Sequence, residues 1–240
     1  MGLFDKKYCD VCGEKIGLLG NRKLADGNMC KDCLKLASPY LTGRKNFSID
    51  DMKEHLKYRE ENKRNLDNFN VTSTYGVNVK LHIDEAQGAW LISSSSNFRN
   101  GNPDIMTVNQ VTGCTVDIRE SRTELKRKNA EGKEESYNPP RYDIDYDFYV
   151  VIDINSPWYS EIEFKVNASR IEQLNSAEYK NAQQQAEDIK NALTGARADL
   201  RERAAEAARP KVSVTCPHCR ASTIPDDSGR CEYCGGAVAD

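Results

Sequence analysis

The sequence predicts an α+β chain: an antiparallel β region closed by one helix, with a small cysteine-rich unit at each end. Three observations carry that expectation. Apolar and polar residues alternate through segments between Val71 and Val166, and an apolar stripe at helical spacing follows them. Of the 9 cysteines, all but Cys114 fall into four Cys-x-x-Cys pairs, two pairs near each terminus.

The first unit, residues 1–45, opens with Cys9-Asp-Val-Cys12-Gly13, in which a tight turn aims two thiolates at one metal and Gly13 permits the close backbone turn. Cys30-Lys-Asp-Cys33 leads into Leu34-Lys35-Leu36-Ala37, a short helix candidate over 34–41, where the positive helix start favours thiolates. A knuckle followed by a helix is the treble-clef arrangement. Gly17, Gly20 and Asp26-Gly27 supply turns for a hairpin between the two pairs.

Residues 46–69 are expected to form a helical spacer. Ser48-Ile49-Asp50-Asp51 is a start signal, with Ser48 as cap and Phe47 able to staple onto Met52. The apolar face over 49–67 is thin (Ile49, Met52, Leu56, Leu66), so the helix reads as a strut rather than a core element.

Residues 70–194 are expected to form the β domain with its closing helix. Val71, Ser73, Tyr75, Val77, Val79, Leu81 and Ile83 share a face interrupted by Gly76, which marks a turn or bulge. Trp90-Leu91-Ile92, Val108 to Ile118, Arg141 to Asn155 and Ser160 to Val166 are further strands. In the clearest of them every even position from Tyr142 to Ile154 is apolar, while Asp143, Asp145, Asp147 and Asp153 point the other way; a meander with one wet face follows. Ser121 to Pro140 reads as a charged loop containing Lys126-Arg127-Lys128. The closing helix starts at Ser176 and buries Tyr179, Ala182, Ala186, Ile189 and Leu193, with Gly195 able to end or kink it.

Residues 195–210 are an Ala-rich helical linker ending at Pro210, and 211–240 carry the last two pairs. Cys216-Pro-His-Cys219 and Cys231-Glu-Tyr-Cys234 face each other across a turn with Pro225 and Asp226-Asp227-Ser228-Gly229, the layout of a zinc ribbon. Arg220 stands where such a knuckle often has glycine. His218 is expected to face solvent, with a swap for one cysteine left open.

Cys9, Cys12, Cys30 and Cys33, and Cys216, Cys219, Cys231 and Cys234, are therefore the expected ligands of two structural Zn2+ ions. Redox dithiols and disulfides are the competing readings; no βαβ unit surrounds any pair, which counts against the first. Units of this size cannot bury enough surface to fold unaided, whereas structural zinc brings roughly 10–16 kcal/mol of apparent binding energy. Four thiolates leave no open position for water, so neither ion is expected to be catalytic. Cys114 sits in an apolar register and reads as a core thiol; His55 and His82 read as solvated.

Lys and Arg number 34 against 37 Asp and Glu, for a formal charge of −3, and the pI is near 5.8. Each four-thiolate zinc site would add −2, taking the chain to about −7. Acidity of that size disfavours nucleic acid, through Arg220 and Arg230, and anionic lipid, through Lys126 to Lys128. The longest apolar run, Phe148 to Ile152, is far shorter than the roughly 20 residues of a membrane span. Charges at Asp5, Lys6, Lys7, Asp10, Glu14 and Lys15 argue against a cleaved signal, and Lys6 spoils a myristoylation reading of Met1-Gly2. A cytoplasmic address is the expectation.

Met1-Gly-Leu-Phe-Asp-Lys, Cys9-x-x-Cys12-Gly-Glu-Lys-Ile-Gly-Leu-Leu-Gly and Lys23-Leu-Ala-Asp-Gly-Asn-Met-Cys30-x-x-Cys33 together resemble a bacterial family of N-terminal zinc domains of unknown function. The resemblance spans about 1–45 and implies the same four ligands, with no activity attached. Residues 70–194, with Asp104-Ile-Met-Thr-Val-Asn-Gln-Val-Thr-Gly-Cys-Thr-Val and the strand 161–166 before the helix, look like the pleckstrin-homology-like (PH-like) superfold of bacterial proteins, whose members bind lipids, peptides or other domains. The combined expectation is a non-enzymatic adaptor that presents binding surfaces to a protein partner.

Overall fold

A computed structural model describes residues 7–208, 213–226 and 228–238. Met1 to Lys6 of the opening motif, Pro210 and Asp227 lie outside the described residues. The chain divides into two compact units, Met1–Ala198 and Asp199–Asp240.

In the first unit a short hairpin, β1 (Asn21–Lys23) and β2 (Asn28–Cys30), runs into helix α1 (Lys31–Leu36). Asp26-Gly27 makes the hairpin turn, and a Cβ on Gly27 would stand 2.7 Å from both Asp10 Oδ2 and Ile49 Cδ1, so any larger residue would have to displace both side chains. Asp26 accepts the Ile49 N–H at 2.8 Å and thereby ties the hairpin to helix α2 (Ile49–Asn65). The start of α2 is the expected one: Ser48 Oγ accepts from Asp51 N–H and Asp51 Oδ2 accepts from Ser48 N–H, a reciprocal capping box. Met52 is fully buried in a small core with Leu24, Met29 and Ile16, against which Phe47 packs.

Helix α2 is a packed element, which corrects the spacer expectation. Its inward stripe is Met52, His55, Arg59 and Asn62, all buried. Arg59 donates to the buried carboxylate of Asp104 and to the Asn102 carbonyl, and Ser38 Oγ donates to the other Asp104 oxygen at 2.8 Å. Asn62 donates to Pro103 O at 2.7 Å and accepts the Ile105 N–H at 2.8 Å. His55, expected in solvent, is also buried: its Nε2 accepts the Ser38 N–H at 3.0 Å and Trp158 meets the ring edge-on at 4.8 Å. These bonds join α1 and α2 to the β region, because Asn102–Ile105 belongs to it.

The β region holds two antiparallel sheets. One has the order β3 (Ser73–Tyr75), β4 (Lys80–Asp84), β5 (Ala89–Ser93), β6 (Met106–Thr107); the other has β7 (Val111–Lys128), β8 (Glu134–Ile154), β9 (Glu161–Lys165). Gly76, at φ +90°, lies in the turn between β3 and β4, as its place in the pattern suggested. The single wet face expected of the meander does not hold for the first sheet. Leu81 to Asp84 and Ala89 to Ile92 are buried at every position. Leu66, Phe69 and Phe98 cover one face together with Ala89 and Leu91, leaving Trp90 to the other. That cover explains buried His82, which packs against Phe98 with 5.0 Å between ring centres and bonds Thr74 Oγ1 through Nδ1.

The second sheet continues far beyond its core. Ser121 to Lys128 and Glu134 to Ser136 extend the β7–β8 ladder, so the expected charged loop is a two-stranded ribbon. Residues 137–140, including Pro139 and Pro140, drop out of the pairing, as residues unable to donate to a ladder should. Arg127 and Glu135 are cross-strand partners with an ion pair of 2.7 Å, so one of the three cations from Lys126 to Lys128 is already neutralised.

Helix α3 (Ala177–Ala207) closes the β region. Tyr179, Ala182, Ala186, Ile189 and Leu193 are all buried, as their spacing requires, and Tyr179 meets Phe148 and Tyr146 edge-on. The Tyr179 N–H donates to Ser176 Oγ at 3.1 Å. The helix passes through Gly195 without ending, since an exposed glycine weakens a helix by only about 1 kcal/mol. In the second unit β10 (Val214–Thr215) and β11 (Ser222–Thr223) pair antiparallel. No helix among the described residues is long and apolar enough to cross a membrane.

Candidate metal centres

Three of the four Cys-x-x-Cys pairs adopt one backbone pattern. The residue after the second cysteine donates its N–H to the first cysteine's carbonyl: Gly13 to Cys9 at 2.7 Å, Arg220 to Cys216 at 2.9 Å, Gly235 to Cys231 at 2.8 Å. The first cysteine's own N–H then bonds the next carbonyl, of Glu14, Ala221 and Gly236 respectively. The turn puts that fifth residue at positive φ, +79° for Gly13 and +70° for Gly235. Arg220 holds the same conformation at +60°, which is why its position normally suits glycine. The fourth pair differs. Cys30 is the N-cap of α1 and its sulfur accepts the Cys33 N–H at 3.3 Å, so the helix start itself delivers both thiols.

These turns bring the eight predicted ligands together in two sets of four. In each set all ligand atoms lie within 4.8 Å of one another. Cys9 and Cys33 sulfurs are 3.9 Å apart, as are Cys12 and Cys30; Cys216 and Cys234 are 3.6 Å apart, Cys219 and Cys231 3.7 Å. A tetrahedral ion with metal–sulfur bonds of about 2.3 Å needs sulfur–sulfur edges of about 3.8 Å. Both sets are therefore compatible with structural zinc sites. His218 takes no part: it is exposed, and its ring crowds Gly236, where an added Cβ would stand 2.5 Å from Cδ2.

The electrostatics of each set call for a cation. Burial pushes the Cys9 thiol up, but the backbone N–H groups of Cys12, Cys30 and Val11 outweigh it and bring it down to about 7. At the other centre burial is likewise overcome by the Cys234 and Tyr233 N–H groups and the Thr223 hydroxyl, leaving Cys231 at about 6. Cys216 is lowered as well, by the Cys219 and His218 N–H groups against burial. Others go the opposite way: burial and the three neighbouring sulfurs push Cys33 up, and at Cys234 the Gly236 N–H is outweighed by the surrounding sulfurs, which carry it to about 12. The protein alone favours the thiolate at Cys9 in the first set and at Cys216 and Cys231 in the second. Four in van der Waals contact require a positive ion among them.

Cys114, expected as a core thiol, is half-buried on β7, and burial pushes it up to about 11, so it is a poor nucleophile. The buried polar stripe of α2 was missed from the sequence. Its signal was present, since positions 52, 55, 59, 62 and 66 keep the offsets of an inward face, but three of those residues are polar.

Residues 7–55 match a family described as Domain of unknown function (DUF4428), and the match contains the whole first cysteine set. No curated protein and no solved structure matches the chain.

Proposed function

We propose that the chain is a cytoplasmic, non-enzymatic adaptor built on two structural zinc sites, with a treble-clef module, a PH-like β domain and a terminal zinc ribbon. The observation that carries the zinc reading is the closure of each set by four thiols at tetrahedral edge lengths, leaving no position for water or substrate. A four-stranded sheet, a three-stranded sheet and a closing helix support the PH-like reading.

A protein partner has a natural seat in the groove between residues 166–171 and the first turns of α3. Asn167, Ser169, Asn181 and Gln185 line it among Val166, Ile171 and Ala182. Gln185 Oε1 is buried beside it without a hydrogen-bond partner, an acceptor that a peptide N–H would reach once the side chain turns outward.

Elemental analysis of the purified chain tests the metal part: two zinc ions per chain, with all eight thiols of the two sets reactive only after chelation, is the expected result. Less than one zinc, or disulfides in freshly reduced protein, would refute it. For the adaptor part, proteins retained by the immobilised full chain should be lost on Asn181→Arg, which fills the groove from an exposed position. Retention unchanged by that substitution would remove the groove from the proposal.

A further inference from the structure

Between Cys12 and β1 the chain makes a tight turn in which the Gly20 N–H donates to the Gly17 carbonyl at 3.0 Å. Leu18 and Leu19 occupy its two central positions and are 98% and 89% exposed, in a chain whose next most exposed large apolar residue among those described is Tyr233, at 67%. Leu19 has φ +63°, the left-handed conformation that this place in a turn normally gives to glycine or asparagine. A leucine there is strained, and it exposes apolar surface as well. Glycine or asparagine would relieve both, so neither folding nor solubility explains the residue.

The turn is held rather than loose. Ile16 is buried at its foot, and the Arg22 guanidinium donates to the Leu19 and Asn21 carbonyls, each at 3.0 Å. That fixes a cation beneath the leucines. Lys15 enters the turn and Lys23 leaves it, both exposed. Two acids lie nearby, Glu14 and Asp10, the second accepting the Asn28 N–H at 2.7 Å, so the three cations exceed them by one. Two protruding leucines are far too small for a stable protein interface, which needs about 800 Å² per partner. A bilayer has no such requirement, since an apolar tip enters hydrocarbon without a complementary surface while cations at its base meet the headgroup phosphates.

We infer that the Gly17–Gly20 turn is a membrane-docking tip, inserting Leu18 and Leu19 into an anionic bilayer with Lys15, Arg22 and Lys23 at the headgroup level. The site is separate from the groove of the adaptor reading, and either can fail alone.

Co-sedimentation of the full, metal-loaded chain with phosphatidylcholine vesicles, with and without phosphatidylserine, tests it. The chain should pellet with the anionic vesicles, and L18S/L19G should weaken that partition at least about tenfold. The single variant L19G should keep both metal ions and melt no lower than the parent, because glycine removes the strain; its weaker binding then cannot be blamed on unfolding. Replacing Lys15 and Lys23 by Gln should weaken binding and flatten its salt dependence. A chain that stays in the supernatant with anionic vesicles overturns the inference. So does undiminished binding of L18S/L19G, or a parent chain that dimerises through the tip while L18S/L19G stays monomeric.

Discussion

Helices α2 and α3 bury stripes with the same spacing and opposite chemistry. In α3 Tyr179, Ala182, Ala186, Ile189 and Leu193 follow one another at offsets of 3, 4, 3 and 4; in α2 Met52, His55, Arg59, Asn62 and Leu66 do the same. The first stripe is held by removal of apolar surface from water, which forgives small shifts. The second depends on each polar atom finding its partner. Asp104 shows how narrow that margin is: burial raises its carboxyl even against the Arg59 guanidinium and the Ser38 hydroxyl, so desolvation outweighs attraction. We propose that the pair specifies where α2 sits more than it stabilises the fold.

The sharpest way to break the comparison is to remove one member of the pair. Asp104→Ala leaves a guanidinium that is 6% exposed without its counter-ion and should cost about 3–5 kcal/mol. Replacing Arg59 and Asp104 together by Met and Leu should recover most of that loss. Leu193→Ala, the apolar counterpart in α3, should cost roughly 2–5 kcal/mol with no such rescue by a second truncation. Chemical denaturation of the three variants decides it: a double replacement as damaging as Asp104→Ala alone would mean that the pair is a net source of stability.

The contrast also explains what could be read from the sequence. Cysteine ligands are legible because a metal centre is built from local turns whose spacing is written directly in the chain; all eight predicted positions converge. The α3 stripe and the alternation of β8 are legible because burial selects apolar residues at a fixed period. Polar burial erases that signal, so α2 reads as a wet strut and His55 and His82 as solvated. The β7–β8 ribbon fails for the converse reason. Most of its residues beyond the core are exposed, so no period marks it, and its ladder and cross-strand pairs such as Arg127–Glu135 exist only once the strands are paired.

Acid should separate the two helices next. Burial, reinforced by the nearby Arg59 charge, holds His55 down at about 4, while the unfolded chain titrates near 6.5. The unfolded state therefore binds more protons within that window. The contribution of neutral His55 is complete above about pH 6.5 and is lost as pH falls toward 4, on the order of 2 kcal/mol. His82, lowered by its own burial, acts in the same direction. Denaturation midpoints of the parent and His55→Asn across pH 7 to 4.5 should converge as acid is added. A constant gap would show that the ring matters only for packing.

The smallest expected effect lies at the helix starts. Ser48 and Asp51 exchange two bonds at α2, whereas at α3 the Tyr179 N–H bonds the Ser176 hydroxyl. An N-cap alanine usually costs about 1 kcal/mol, with less expected where other groups hold the turn. Ile49 N–H is already taken by Asp26, so the first turn of α2 keeps one side-chain acceptor after Ser48→Ala, and Asp51 can still accept the N–H of residue 48. At α3 the Lys180 N–H still reaches the carbonyl of residue 176, but the Tyr179 N–H loses its acceptor, and it does so beside the ring that packs against Phe148. Despite its fuller box, α2 should therefore lose less from its cap than α3 loses from Ser176→Ala, by a few tenths of a kcal/mol. The opposite order in thermal melts would place the stability of α2 in the capping box itself rather than in the hairpin that grips its start.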